Sequence, residues 1–105
     1  MISTSAFHIL LALADGERHG FAITREVAQE TDGEVKLGPG TLYRMLKQLL
    51  DDEWIVEVDL PDADDPRRRY YKLTPRGRRI AQAEAVRLAN VVRLARARRL
   101  LPAGV

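Results

Sequence analysis

Apolar side chains recur at helical spacing in the first part of the chain. Residues 6–14 are almost wholly apolar and follow three hydroxyl residues that can cap a helix, so they predict a buried first helix. A second helix is predicted over residues 20–31, because Asp32 and Gly33 then close it with a turn. We expect four apolar residues on its inner side: Phe21, Ile23, Val27 and Ala28.

A third helix is predicted to begin at Pro39 or Thr41 and to end near Asp52. Proline suits the first helical turn because its missing N–H would have no partner there. The apolar positions of this segment are spaced i, i+4 and i+7 and therefore face the core: Leu42, Leu46 and Leu49. The opposite side then carries polar residues: Thr41, Arg44, Lys47 and Gln48.

The pattern changes to that of β-strands after the third helix. Residues 54–58 and 67–73 are rich in β-branched and aromatic side chains and predict two strands. Tyr70 and Tyr71 alternate in the second strand, which places one in the core and the other outside. The seven residues 60–66, between the strands, include two prolines and three acids and predict a protruding loop. Residues 62–65 lack the Gly and Glu of a calcium loop, so they predict a solvated turn and no metal site.

Thr74 and Pro75 supply a cap and a first-turn proline for a last helix, which we expect to run to about Leu101. The order of elements predicts a mainly α fold with a small antiparallel β-hairpin. It is a winged helix-turn-helix (α-α-α-β-β-α) with a long C-terminal dimerisation helix. We predict a DNA-binding domain at residues 1–74 and a dimerisation helix at residues 75–105, in one compact structural unit.

The last helix carries more apolar surface than one small domain is expected to cover. Its apolar residues recur at steps of 3, 4 and 3, and others lie beside this stripe. One side can pack on the first helix, and a two-fold homodimer would cover the rest. The alternative is packing within one domain only. The predicted dimer interface consists of Phe7, Ala85, Leu88, Val91, Val92 and Ala95.

The net charge of +2 hides an asymmetry. The first 53 residues carry five basic and nine acidic side chains, whereas the remaining 52 carry twelve and six. All twelve lie between Arg67 and Arg99, where Glu84 is the only acid. This block fits a polyanionic partner, and on charge alone a solvated arginine-rich helix fits equally well.

The second and third helices together form a helix-turn-helix, whose second member can lie in the major groove of DNA. The hairpin predicted over residues 54–73 forms the wing of this fold. The third helix, the segment before it and the wing carry donors for phosphates and base edges, together with glycines that allow close backbone approach. For Tyr43, core packing and phosphate contact are equally compatible with the sequence. The predicted DNA-binding residues are Lys36, Gly38, Pro39, Gly40, Thr41, Tyr43, Arg44, Lys47, Gln48, Arg67, Arg68 and Arg69.

Several functional classes are disfavoured. There is no cysteine for a disulfide or a thiolate, and there are only two histidines, far apart in sequence. No nucleophile, paired carboxylates or phosphate loop is recognisable, so we expect no catalytic residues, no metal and no cofactor. The apolar run at residues 7–14 lacks the charged lead of a signal peptide, and no segment is long enough to span a membrane. A cytoplasmic location without membrane contact is therefore expected.

Four segments carry a resemblance to a known family. They are His19-Gly20-Phe21, Leu37-Gly38-Pro39-Gly40-Thr41-Leu42-Tyr43, Leu46-Lys47-Gln48-Leu49 and Arg67-Arg68-Arg69-Tyr70-Tyr71-Lys72-Leu73-Thr74-Pro75-Arg76-Gly77. In this order and spacing they closely resemble the PadR-like family of winged-helix transcription regulators, over nearly residues 6–79.

The resemblance implies a sequence-specific dimeric repressor of double-stranded DNA, held together largely through its C-terminal helix. It also implies a small aromatic effector as a candidate ligand. The short C-terminal part argues against a separate effector domain. Two positions depart from the family: Phe21 stands where Tyr is usual, and Glu53 where Gly commonly ends the third helix, so we expect an altered turn there. A winged-helix module that binds protein instead of DNA is the alternative function.

Overall fold

The structure, a computed structural model, describes residues 2–61 and 65–105. Within these stretches the chain forms four helices and three strands, which confirms the predicted fold class and adds one strand to it. In chain order they are α1 (Thr4–Ala12), β1 (Arg18–His19), α2 (Gly20–Glu30), α3 (Pro39–Asp51), β2 (Ile55–Val58), β3 (Tyr70–Leu73) and α4 (Pro75–Ala97).

Helix starts follow from local capping chemistry. The Ser3 hydroxyl accepts the Ala6 N–H at 3.1 Å at the start of α1, and the Thr74 hydroxyl accepts the Gly77 N–H at 3.0 Å at the start of α4. In α2 the cap is His19, whose Nδ1 accepts the Ala22 N–H at 3.2 Å. These contacts satisfy N–H groups that have no partner within a helix.

The turn after α3 is not altered by the missing glycine, contrary to the expectation from the sequence. Glu53 adopts a left-handed conformation with φ 61°. The Trp54 N–H bonds to the Leu49 carbonyl, and the Glu53 N–H to the Leu50 carbonyl, both at 3.0 Å. This pair of bonds is the Schellman motif that usually ends on glycine. The backbone hydrogen bonds of the motif therefore hold Glu53 in the strained region.

The strands form one antiparallel sheet in the order β1-β3-β2. β1 was not predicted, because two residues are too few to show an alternating pattern. The strand predicted over residues 67–73 is shorter than expected and begins at Tyr70. Tyr71 is buried, whereas Tyr70 is half-buried and meets the His19 ring edge-on at 5.4 Å, so one tyrosine of the pair enters the core as predicted.

The core lies among α1, α2, α3 and the sheet. The three periodic leucines of α3, Leu42, Leu46 and Leu49, are buried as predicted, beside Ile23 and Val27 of α2. Phe21 was expected on the inner side of α2 and is instead 65% exposed. Successive helical residues are separated by about 100°, so a residue two positions before Ile23 lies on the opposite side of the helix.

α4 leaves the core and projects beyond it. Ile80 and Ala81 pack against the core, and an Arg78 guanidinium N–H donates to the Ala14 carbonyl beyond α1 at 2.9 Å. Beyond Glu84, nearly all side chains of the helix are exposed. The molecule is consequently elongated, with principal extents of 51 × 27 × 22 Å. Among the described residues, none of the helices combines the length and apolar character that a membrane span requires.

Candidate nucleic-acid interface

The polar side of α3 is exposed along the whole helix. Thr41, Arg44, Lys47 and Gln48 all face solvent, because the apolar side of the helix is used in the core. The Lys47 ammonium bonds to Asp51 at 3.0 Å, and the Gln48 amide donates to Asp52 at 3.2 Å. These i, i+4 contacts between exposed groups contribute little stability, so both side chains can exchange them for contacts to a partner.

The segment before α3 brings backbone to the surface. Lys36, Gly38, Pro39 and Gly40 are all exposed. A Cβ added at Gly38 or Gly40 would meet no atom within 4 Å. Neither residue has a positive φ. The fold itself therefore does not require glycine at these two positions.

The three wing arginines, Arg67, Arg68 and Arg69, are exposed at the base of the wing. Arg67 contacts Asp65 at 3.4 Å, and Arg69 contacts Glu57 at 3.5 Å. Asp65 also accepts the Arg67 backbone N–H at 3.0 Å, and this bond holds the pKa of its carboxyl below the ordinary value. Pairing of the arginines with acids of their own wing is thus observed at Asp65. Asp62 and Asp64 of the same wing lie outside the described residues.

Tyr43 lies at the surface of α3 next to the start of α2. Its side chain is 59% exposed, so it takes no place in the core. A Cβ at Gly20 would lie 3.6 Å from the Tyr43 hydroxyl and 3.3 Å from Leu42 Cδ2. Glycine at position 20 therefore lets the two helices approach closely, with the phenol beside the first turn of α2.

A cleft of about 480 Å³ joins α2, α3 and the wing. It brings Tyr43 together with the three wing arginines, although more than twenty residues separate them in the chain. It does not include Lys36, Arg44, Lys47 or Gln48. The cleft is lined by His19, Gly20, Phe21, Tyr43, Asp65, Arg67, Arg68, Arg69 and Tyr71.

His19, Gly20 and Phe21 were not among the predicted site residues. The sequence did contain a signal that Phe21 is exposed, since strict helical periodicity places it on the opposite side of the helix from Ile23. His19 and Gly20 offered no such signal, because their place beside the wing depends on the pairing of β1 with β3.

Five of the six residues predicted for dimerisation lie on the projecting part of α4, and the sixth, Phe7, lies on α1. Five large apolar side chains of α4 are between 37% and 62% exposed: Val86, Leu88, Val91, Val92 and Leu94. Ala85 is also exposed, and Ala95 is half-buried. Phe7 of α1 is half-buried and lines a second cavity of about 420 Å³ together with Leu88.

This second cavity is lined by an ion pair between the buried Glu84 and the exposed Arg87. Arg87 donates to both carboxylate oxygens of Glu84, from Nε at 2.8 Å and from a terminal nitrogen at 2.6 Å. The bidentate contact lowers the pKa of Glu84 and raises that of Arg87. His8 borders the same cavity, and its buried Nδ1 lacks a hydrogen-bond partner in the described part of the chain.

Comparisons with known proteins agree with this architecture. The family described as "Transcriptional regulator PadR-like family" matches residues 9–83. A PadR family transcription regulator from Clostridium difficile superposes with a TM-score of 0.76 at 19% identity, over 90% of this chain and 97% of the other. Bacillus subtilis PadR in complex with operator DNA gives a TM-score of 0.71 at 23% identity, over 80% of this chain and 48% of the other.

A curated relative shares more sequence. An uncharacterized 37.1 kDa transposon protein from Streptomyces fradiae is 36% identical over 83 residues, which cover 79% of this chain. The matched region spans only 22% of that relative, so the two proteins correspond over one domain of the larger protein at most.

Proposed function

Because the chain belongs to the PadR-like family of transcriptional regulators, we propose that it binds double-stranded DNA in a sequence-specific manner and represses transcription as a homodimer. α3 would enter the major groove, and the wing arginines would contact the adjacent backbone. Proteins of this family are generally DNA-binding and not enzymatic, so no reaction is proposed. We propose a cytoplasmic location, because a regulator of this kind acts on DNA.

The observation that carries the proposal is the exposed surface at the start of α3. Gly38 and Gly40 leave the backbone uncovered beside Arg44 and Lys47, and the fold gives no reason for glycine there. Two exposed residues without a Cβ, next to cations, suit a partner that brings phosphate oxygens close to the main chain. The Bacillus subtilis relative with operator DNA has this fold, which supports DNA as that partner.

Dimerisation is supported by the apolar side of α4, which a single chain leaves in solvent. We propose that residues 75–105 pair with the same segment of a second copy, while residues 1–74 bind DNA. A two-fold dimer would place two α3 helices roughly 34 Å apart, one turn of DNA, and hence favour a palindromic operator. Repression and a small aromatic effector rest on the family resemblance alone.

The test is a pair of charge-matched double variants. Arg44→Ala with Lys47→Ala removes two cations from α3, whereas Arg93→Ala with Arg98→Ala removes one from α4 and one from the residue that caps its C-terminal end. We measure binding to a fluorescein-labelled duplex of random sequence by anisotropy over a salt series. The α3 variant should bind more weakly and lower the salt slope by ~0.9 for each lost phosphate contact, while the control keeps the wild-type slope.

Equal losses in both variants would mean that only net charge matters, and the proposed interface would be wrong. If the wild-type protein bound no duplex at low salt, the proposal of DNA binding would be wrong. The alternative function, a module that binds protein, would then be favoured.

A further inference from the structure

Phe21 presents an apolar ring to solvent at the rim of the wing cleft. The ring is 65% exposed and takes no part in the core. His19 stacks beside it with ring centroids 6.4 Å apart and an interplanar angle of 14°. The Arg25 guanidinium lies 5.6 Å from the ring centroid, within cation–π distance. The exposed ring is therefore held in place before any partner arrives, which lowers the entropic cost of binding through it.

The cleft beside Phe21 is rich in cations. Arg67, Arg68 and Arg69 line one side, and Tyr43 lines the other. Among the residues that the structure describes, Asp65 is the carboxylate that lines the cleft, and it is engaged by the side chain and the backbone N–H of Arg67. A partner for this surface must combine an anion with an adjacent apolar face.

The backbone of DNA has this composition, because each phosphate is bonded to a deoxyribose whose carbon face is apolar. We propose that the cleft holds one nucleotide of the DNA backbone, with Arg68 and the Tyr43 hydroxyl on the phosphate and Phe21 packed against the neighbouring deoxyribose. This inference rests on the proposed function and extends the interface from α3 and the wing to the first turn of α2. Contacts of this kind are independent of base sequence and fix the position of the protein on the duplex.

The two halves of the contact differ in their dependence on salt. A phosphate contact releases counterions, whereas packing of a phenyl ring on a sugar does not. Phe21→Ala should therefore weaken binding to a random duplex about fivefold to tenfold and leave the salt slope unchanged. Arg68→Ala should weaken binding and also lower the slope by ~0.9. Phe21→Tyr keeps the ring and should bind like the wild-type protein.

Leu11→Ala serves as the matched control, because Leu11 is an exposed apolar residue on α1 that does not line the cleft. Thermal unfolding of each variant checks that the fold is kept. A Phe21→Asp variant extends the series, since a carboxylate at this position should repel the backbone and reduce affinity more than alanine does.

The inference is overturned if Phe21→Ala binds the duplex as tightly as the wild-type protein while Arg44→Ala with Lys47→Ala is impaired. That result would leave the proposed function intact. A larger loss on a single-stranded oligonucleotide than on the duplex would indicate stacking on a base and would also overturn it. Absence of duplex binding by the wild-type protein would instead be a failure of the proposed function.

Discussion

At the scale of single residues, three helices end on a left-handed residue that is not glycine. Asp32 follows α2 with φ 51°, Glu53 follows α3 with φ 61°, and Arg99 follows α4 with φ 58°. Each turn contains the backbone bond that closes a Schellman motif, for example from the Leu100 N–H to the Ala95 carbonyl at 3.0 Å. A side chain with a Cβ is strained in this region, so these positions store a small amount of conformational energy.

Glu53→Gly should stabilise the protein by about 1 kcal/mol, because glycine adopts the left-handed conformation without a Cβ clash. Glu53→Ala is the matched control: it removes the carboxylate and keeps the Cβ, so its stability should stay near that of the wild-type protein. Urea unfolding followed by circular dichroism measures both. If the alanine variant gained as much stability as the glycine variant, the charge of Glu53, and not backbone strain, would be what destabilises the turn.

The Glu84–Arg87 pair gives a prediction on pH. The bidentate contact lowers the pKa of Glu84 from its ordinary value of 4.5. A carboxyl whose pKa is lower in the folded state stabilises the protein above its unfolded pKa, and this contribution is lost as the pH falls through the folded value. Unfolding of the wild-type protein should therefore require more urea than that of Glu84→Gln at pH 7. The difference should shrink steadily below pH ~4.5, and a difference that does not change with pH would contradict the prediction.

At the scale of elements, the junction between the sheet and α4 depends on one close contact. A Cβ at Gly77 would lie 1.8 Å from the Trp54 carbonyl oxygen. The same carbonyl accepts the Thr74 N–H at 3.1 Å, and the Thr74 hydroxyl donates to the Glu53 carbonyl at 2.6 Å. The first turn of α4 is thereby joined to the turn that follows α3, which couples α4 to α3.

Gly77→Ala should destabilise the protein by about 3 kcal/mol, because the backbone of α4 must move away from Trp54. The comparison variant is Gly40→Ala, at a helical glycine where an added Cβ meets no atom within 4 Å. It should be neutral or stabilising by up to ~1 kcal/mol, and its duplex affinity should fall if the uncovered backbone contacts DNA. Equal unfolding midpoints for the two variants would show that the junction tolerates a Cβ.

At the scale of the whole molecule, the projecting part of α4 is the feature that a single chain does not explain. Leu88, Val91 and Val92 lie on one side of this helix and are between 37% and 50% exposed, next to the half-buried Phe7 of α1. Contiguous apolar surface of this kind marks an interaction site in soluble proteins. A second copy of the same helix is the simplest partner with matching surface.

Leu88→Lys with Val92→Lys should convert the proposed dimer into a monomer and reduce operator affinity at the same time, because two charges would be buried in the interface. Ala83→Lys with Asn90→Lys adds the same charge on the opposite side of α4 and should keep the wild-type assembly. Sedimentation at micromolar concentration measures the mass of each variant. A monomeric wild-type protein under these conditions would contradict both the dimer and the palindromic operator.

The helices and the wing of this protein were predictable because their signals are local. Ser3, Thr74 and Pro75 mark helix starts within one turn, and the leucines of α3 define its buried side within eight residues. The polar side of that helix, with Arg44 among its residues, followed from the same periodicity. The local sequence of capping, apolar and polar residues therefore determined which elements form and which surface of α3 stays in solvent.

The tertiary structure decided which of these residues meet. β1 exists because Arg18 and His19 pair with Tyr71 and Tyr70, some fifty residues further along the chain. That pairing places the start of α2, with its exposed Phe21, beside the wing arginines. The energy of such contacts depends on distances between segments that are remote in sequence. The pattern of residues within one segment therefore cannot predict these contacts. The sequence determined the elements of the proposed DNA-binding surface, and long-range packing assembled its cleft.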